Sequence, residues 1–186
     1  MSKVESYYTP IGKINFPKTK INDKEWTYLV HPDGLTEDDV CSWKFSLILD
    51  PKEAGVAALL KLLDDQHSKI KGANFKPYKN DKTKNDDGTF TENGMIAIPF
   101  TTGYPIHLVD ALKQKCTAQV GWGSKVRVKF TTKPVNNQGK VGLGRYVRAL
   151  QIIELAESGQ DISGFSEEKE GFQTSGKPES DEPWKE

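Results

Sequence analysis

Residues 121–155, GWGSKVRVKFTTKPVNNQGKVGLGRYVRALQIIEL, restrict the fold more than any other stretch of the chain. Val126, Val128 and Phe130 alternate with Lys125, Arg127, Lys129 and Thr131, the period of two expected of a strand with one buried face. A Gly/Asn-rich segment, PVNNQGKVGLG, follows as a loop carrying Lys140, and a second strand is expected over 145–155. Three more strands are expected over 12–16, 43–49 and 95–100, with 26–30 either a strand or an extended loop. On the 43–49 strand, Trp43, Phe45, Leu47 and Leu49 share one face and should point inward, while Lys44 and Ser46 share the other.

One helix interrupts these strands. Asp50-Pro51-Lys52-Glu53 has the residues of a helix start, with Asp50 as cap, Pro51 at the first helical position and Glu53 completing the capping pattern. Val56, Leu59, Leu60, Leu63 and Ile70 then recur on one face, and Gly72 ends the element. The polar run KPYKNDKTKNDDGTFTENG beyond it is expected to be a long mobile loop. Two strands, a helix and further strands at the end fit a mainly β chain closed as a small antiparallel barrel. The alternation is not that of βαβ units, which makes a parallel nucleotide-binding sheet a poor fit.

Zero net charge over 186 residues conceals an asymmetry. Residues 157–186 hold nine acidic and three basic side chains, a net −6, so residues 1–156 carry +6. The last segment is rich in Glu, Ser, Gly and Pro without helical or strand period. It is therefore expected to be a disordered acidic tail on a folded domain of residues 1–156. Phe165, Phe172 and Trp184 interrupt that tail, and Phe172, Asp181, Glu182 and Trp184 have the composition of a docking peptide with aromatic anchors. No apolar run approaches the roughly 20 residues that span a membrane. The first residues lack the apolar stretch of a signal peptide, which leads to the expectation of a soluble intracellular protein.

A row of cations on one strand face suits a phosphate backbone, because each contact releases counterions. Trp122, between Gly121 and Gly123, stands just before that row, and Arg145, Tyr146 and Arg148 open the next strand. Cations that track phosphates, beside rings that stack on bases, bind single strands without reading sequence. The phosphate contacts expected are Lys125, Arg127, Lys129, Lys140, Arg145 and Arg148. Trp122 and Tyr146 are expected to stack, with Phe16, Phe100 and Tyr104 as further platforms. Trp43 and Phe45 are more readily core.

Catalytic patterns are poor. His31, His67 and His107 are scattered, and Cys41 and Cys116 lie far apart with no metal-binding spacing. The pairs Asp38-Asp39, Asp64-Asp65 and Asp86-Asp87 suit turns and helix ends better than a two-metal site. The glycines lack P-loop spacing. The expectation is a binding protein with no enzyme activity, no metal and no cofactor. Two competing readings are a protein-interaction module whose basic face is merely solvated, and a nuclease using Asp86 and Asp87.

Several stretches resemble the single-stranded-DNA-binding replication proteins of tailed bacteriophages. YYTPIGKINFPK resembles their first strand and WKFSLILDPKE their second strand running into a helix. MIAIPFTT with PIHLVDA resembles the middle of the domain, and residues 120–155 the closing hairpin; the likeness covers most of 8–156 and extends to the acidic tail. It implies an OB-fold, a five-stranded antiparallel Greek-key barrel with one packing helix between the second and third main strands. It also implies coating of single-stranded DNA during phage replication and recombination, in the cytoplasm of the infected bacterial host. The tail would then contact the replicative DNA polymerase and helicase-primase, compete with DNA for the basic groove and, in some members, hold a homodimer. Here the tail ends Trp184-Lys185-Glu186, so its aromatic is not terminal.

Overall fold

The computed structural model describes residues 4–156. The elements run β1 (Tyr7–Tyr8), β2 (Gly12–Ile21), β3 (Lys24–Trp26), β4 (Cys41–Leu49), α1 (Val56–Ser68), β5 (Lys79–Lys84), β6 (Phe90–Thr102), β7 (His107–Val109), β8 (Lys125–Asn137) and β9 (Lys140–Glu154). The nine strands form one sheet. Five of them close on one another: β2 pairs with β4, β4 with β6, β6 with β9, β9 with β8, and β8 with β2. All these ladders are antiparallel except β6–β9, which meets in parallel at Thr101 and Tyr146. The fold is thus mainly β and of the OB type. The short strands β1, β3, β5 and β7 attach to the circuit, so the sheet has more strands than the five expected.

The pleat explains the core. Trp43, Phe45, Leu47 and Leu49 of β4 are all buried, as are Val126, Val128 and Phe130 of β8. Inside the barrel Phe45 stacks on Phe100 at 5.4 Å, and Phe100 meets Phe130 edge-on at 5.2 Å. Trp43 is buried with its indole N–H donated to the Val30 carbonyl at 2.8 Å, which satisfies the one polar atom of that side chain. Residues 26–30 combine both expectations: a strand to Trp26, then a loop with one bridge from Leu29 to Val120.

The helix starts later than its sequence suggests. Asp50 caps a turn instead, accepting the Lys52 N–H on Oδ1 at 2.9 Å and the Glu53 N–H on its carbonyl at 3.0 Å. The helix begins at Val56, after Gly55 with φ of 85°, and ends at Ser68, short of Gly72. Val56, Leu59 and Leu63 bury its apolar face. Gln66 ties it to the strands, accepting from the Thr132 hydroxyl and donating to the Tyr7 hydroxyl.

Two loops expected from sequence are strands. Lys79–Lys84 and the start of β6 form a hairpin with polar residues on both faces, which is why no hydrophobic alternation announced it. Polar side chains add bonds across its backbone ladder, from Asn93 to Asp81 at 2.7 Å and Asn85 to Thr91 at 2.8 Å. PVNNQGKVGLG likewise belongs to β8 and β9, which pair out to Asn137 and Lys140. They turn at Gln138 and Gly139, with φ of 49° and 82°, the positive angles at both turn positions that match strand twist.

Candidate nucleic-acid interface

Phe16 should be buried. Ile14 points inward on β2, and a period of two would place Phe16 beside it. The register slips between Asn15 and Lys18, however: Asn15 faces Ser46 and Lys18 faces Lys44, so β2 holds one residue more than β4. This bulge takes Phe16 to φ of 51° and turns its ring outward, while Thr19 and Ile21 resume the inward face. A bulky residue in the left-handed region costs about 1–3 kcal/mol, and such strain tends to collect at functional sites.

The exposed ring meets Trp122. Their centroids are 4.3 Å apart at an interplanar angle of 65°, with 65% of Phe16 and 54% of Trp122 still open to solvent. The segment carrying Trp122 is pinned to β2 by the Gly123 N–H donated to the Ile14 carbonyl at 2.7 Å and by the Ile14 N–H donated to the Ser124 carbonyl at 2.9 Å. Gly123 has φ of 85°, a conformation that favours glycine.

Two residues past Phe16, Lys18 begins a row across the barrel wall. Lys18 lies opposite Lys44, Lys44 opposite Thr101, and Thr101 opposite Tyr146. Lys44 is exposed and Tyr146 half-buried. Like charges directly opposite in a sheet are unfavourable, and an anion lying across them relieves the repulsion. Lys18 reaches Glu25 at 2.7 Å, an exposed ion pair worth no more than about 1 kcal/mol.

The β8 cations occupy another wall. Arg127 is exposed and Lys129 half-buried, on a groove of about 470 Å³ that Tyr8, Val109, Lys113 and Gln151 also line. The Lys129 ammonium stands 5.7 Å from the centre of the Tyr8 ring, and Tyr8 is its cross-strand partner. Lys125 bonds Glu154 at 2.7 Å; that hydrogen bond, together with the ammonium's charge, holds the Glu154 carboxyl below the usual carboxylate range. Thr131, expected on the open face with these cations, is buried. Arg148 is exposed on a bulge of β9, because Phe130 pairs with Val147 while Lys129 pairs with Ala149. It stands on the same strand between Tyr146 of the first wall and Gln151 of the second.

Three expected contacts are placed elsewhere. Phe100 is 2% exposed and sandwiched between Phe45 and Phe130, so its faces meet core rings and no base reaches them. Arg145 is buried: its Nε donates to the Pro99 carbonyl at 2.8 Å, and one terminal nitrogen has no partner among the described residues. Burial pulls its pKa down to about 10. Period two forces this inversion, since Tyr146 faces out and Arg145 must face in. Lys140 is exposed at the hairpin end, roughly 25 Å along β9 from Arg148 at about 3.3 Å per residue. Tyr104 is exposed in the bend just after β6, its N–H donated to the Thr102 hydroxyl at 3.2 Å. Phe172, Asp181, Glu182 and Trp184 lie outside the described residues.

Sequence reasoning missed Lys18, Tyr8 and Lys113 and left Lys44 without a role. Tyr8 and Lys18 sit in stretches with no long alternation, and Lys44 gains meaning only from its cross-strand neighbours. Among the described residues no group of three or more His, Cys, Asp or Glu is placed to hold a metal ion, and no helix is long and apolar enough to cross a membrane.

No family model matches the chain, and no curated protein matches it. Solved structures do. The single-stranded-DNA-binding protein gp2.5 of bacteriophage T7 superposes with a TM-score of 0.59 at 14% identity, over 92% of this chain and 100% of that one. The single-stranded-DNA-binding protein of bacteriophage Enc34 gives 0.57 at 11% identity, over 84% of each chain. The Enc34 protein in complex with single-stranded DNA gives 0.57 at 12%, over 83% of this chain and 89% of that one. The chain therefore has the fold of these bacteriophage single-stranded-DNA-binding proteins.

Proposed function

We propose that the protein binds single-stranded DNA without reading its sequence, coating and protecting it during phage replication and recombination. The observation that carries this reading is the Phe16–Trp122 pair, exposed by a strained bulge beside the lysine row of Lys18 and Lys44. The rings stack on bases and the lysines take phosphates, the two requirements of sequence-tolerant binding. The wall used is the outer face of β4 and β6, the second and third strands of the closed circuit, where OB-folds take oligonucleotides. The likeness in fold to the T7 and Enc34 single-stranded-DNA-binding proteins supports single-stranded DNA as the ligand.

The acidic tail acts as a competitor and as a docking peptide for a replicative polymerase and helicase-primase, and holds a homodimer where one forms. Its starting point supports the competition: the Ala156 N–H bonds the Ser124 hydroxyl at 3.0 Å, two residues from Trp122. A −6 segment tethered there acts at an effective concentration in the millimolar range.

Titration with oligo-dT at several salt concentrations tests both points. Log affinity should fall linearly with log salt, by about 0.7 per phosphate neutralised. Removing residues 157–186 should tighten binding at low salt. Salt-independent binding, or equal affinity for duplex, contradicts the first point; unchanged affinity after truncation contradicts the second.

A further inference from the structure

The cations that sequence assembled on β8 lie across the barrel from Lys44 of the lysine row, and they line a groove of their own. In the closed circuit β4 is separated from the β8–β9 seam by β2 on one side and β6 on the other. The outer faces of β4 and of the seam therefore look away from each other. Tyr8, Arg127 and Lys129 line the seam groove, with Lys113 presented from the loop after β7. Tyr8 is 61% exposed, a second ring held open beside cations. Asp110 is the carboxylate of that loop, and its Oδ1 already accepts the Leu112 and Gln114 N–H groups at 2.9 and 2.8 Å. Among the described residues neither Arg127 nor Lys129 has a salt-bridge partner, in contrast to Lys125.

Strand β9 links the two walls. Tyr146 ends the lysine row, Ala149 and Gln151 floor the groove, and Arg148 stands between them on the bulge. A bulge adds twist and re-aims a side chain, which here turns a cation outward at the corner from one wall to the next.

We infer that this groove is a second contact for the same DNA strand, reached around the corner at Arg148. Short DNA occupies the ring pair and the lysine row alone. Longer DNA continues past Arg148, lays its phosphates along Lys129 and Arg127, and stacks a base on Tyr8. The inference rests on the single-stranded-DNA reading above and extends it from a wall to a path.

Oligo-dT of about 6 and about 16 nucleotides, spanning the site sizes of single OB-folds, separates the two ideas in the full-length chain. Arg127→Ala with Lys129→Ala should leave the short oligonucleotide unaffected and reduce the salt slope for the long one by about 1.4, at 0.7 per lost contact. Tyr8→Leu should lower long-oligonucleotide affinity about tenfold without changing the slope, as expected for loss of one stack. Lys18→Ala with Lys44→Ala should weaken both lengths. An unchanged slope in the Arg127/Lys129 variant overturns the groove while leaving single-stranded-DNA binding intact. Equal weakening of both lengths by that variant overturns the order of occupation. A wild-type protein that binds neither length removes the underlying reading as well.

Discussion

The molecule uses two aromatic clusters in opposite ways. Phe45, Phe100 and Phe130 stack inside the barrel, each no more than 3% exposed, while Phe16 and Trp122 touch outside it with most of their surfaces open. Their chemistry is the same; what differs is the backbone beneath. β4, β6 and β8 keep regular alternation through Phe45, Phe100 and Phe130, so the pleat delivers those rings to the core. β2 breaks alternation at one bulge, and a ring that the pleat would bury is turned out. One inserted residue separates a packing phenylalanine from a candidate base platform.

The largest expected effect comes from the inner cluster. Phe100→Ala removes a ring from between two others and should destabilise the fold by about 3–5 kcal/mol, measured by denaturant unfolding. If it leaves stability untouched and weakens DNA binding instead, the two clusters have been assigned the wrong way round. Phe16→Gly breaks the comparison from the other side. Glycine adopts φ of 51° without strain, so thermal stability should hold or rise, while affinity for oligo-dT falls roughly tenfold with the lost stack. A fall in stability without loss of affinity would make Phe16 a packing residue after all.

Arg145 supplies the smallest effect and a control for the cations. Its guanidinium is buried with one nitrogen unpaired among the described residues, and a well-packed apolar side chain avoids the desolvation cost of such a charge. Arg145→Met should raise stability by about 1 kcal/mol and leave DNA affinity within about twofold. The depressed pKa agrees in sign: a basic group whose pKa is lower in the folded state destabilises that state while charged. The advantage of the Met variant should therefore shrink as pH rises above about 10 and Arg145 loses its proton.

Sequence made the barrel legible wherever one strand face is apolar, as in β4 and β8, and placed the helix from the stripe of Val56, Leu59 and Leu63. It did not reveal the β5–β6 hairpin, whose strands are polar on both faces, because periodicity reports burial and that hairpin buries little. The candidate site was legible as residue types but not as an arrangement. The exposure of Trp122 agrees with its flanking glycines, and the outward placement of Arg127 and Lys129 with alternation. The opposition of Lys18 to Lys44 needs strand register, and the separation of the β8 cations from Lys44 needs closure of the barrel. Arg145 was misplaced because it was grouped with Tyr146 and Arg148, whereas the pleat sends adjacent residues to opposite faces, and Phe100 because the run MIAIPF has no alternation to mark its buried face.

Fluorescence of Trp122 during an oligo-dT titration tests the central claim most directly, since a base stacked on the exposed ring must quench it. The wild-type protein should show saturable quenching that weakens as salt rises, and Trp122→Phe should lose most of that signal while still binding. Quenching that persists in full in Trp122→Phe, or wild-type emission that does not change at saturation, would contradict the account.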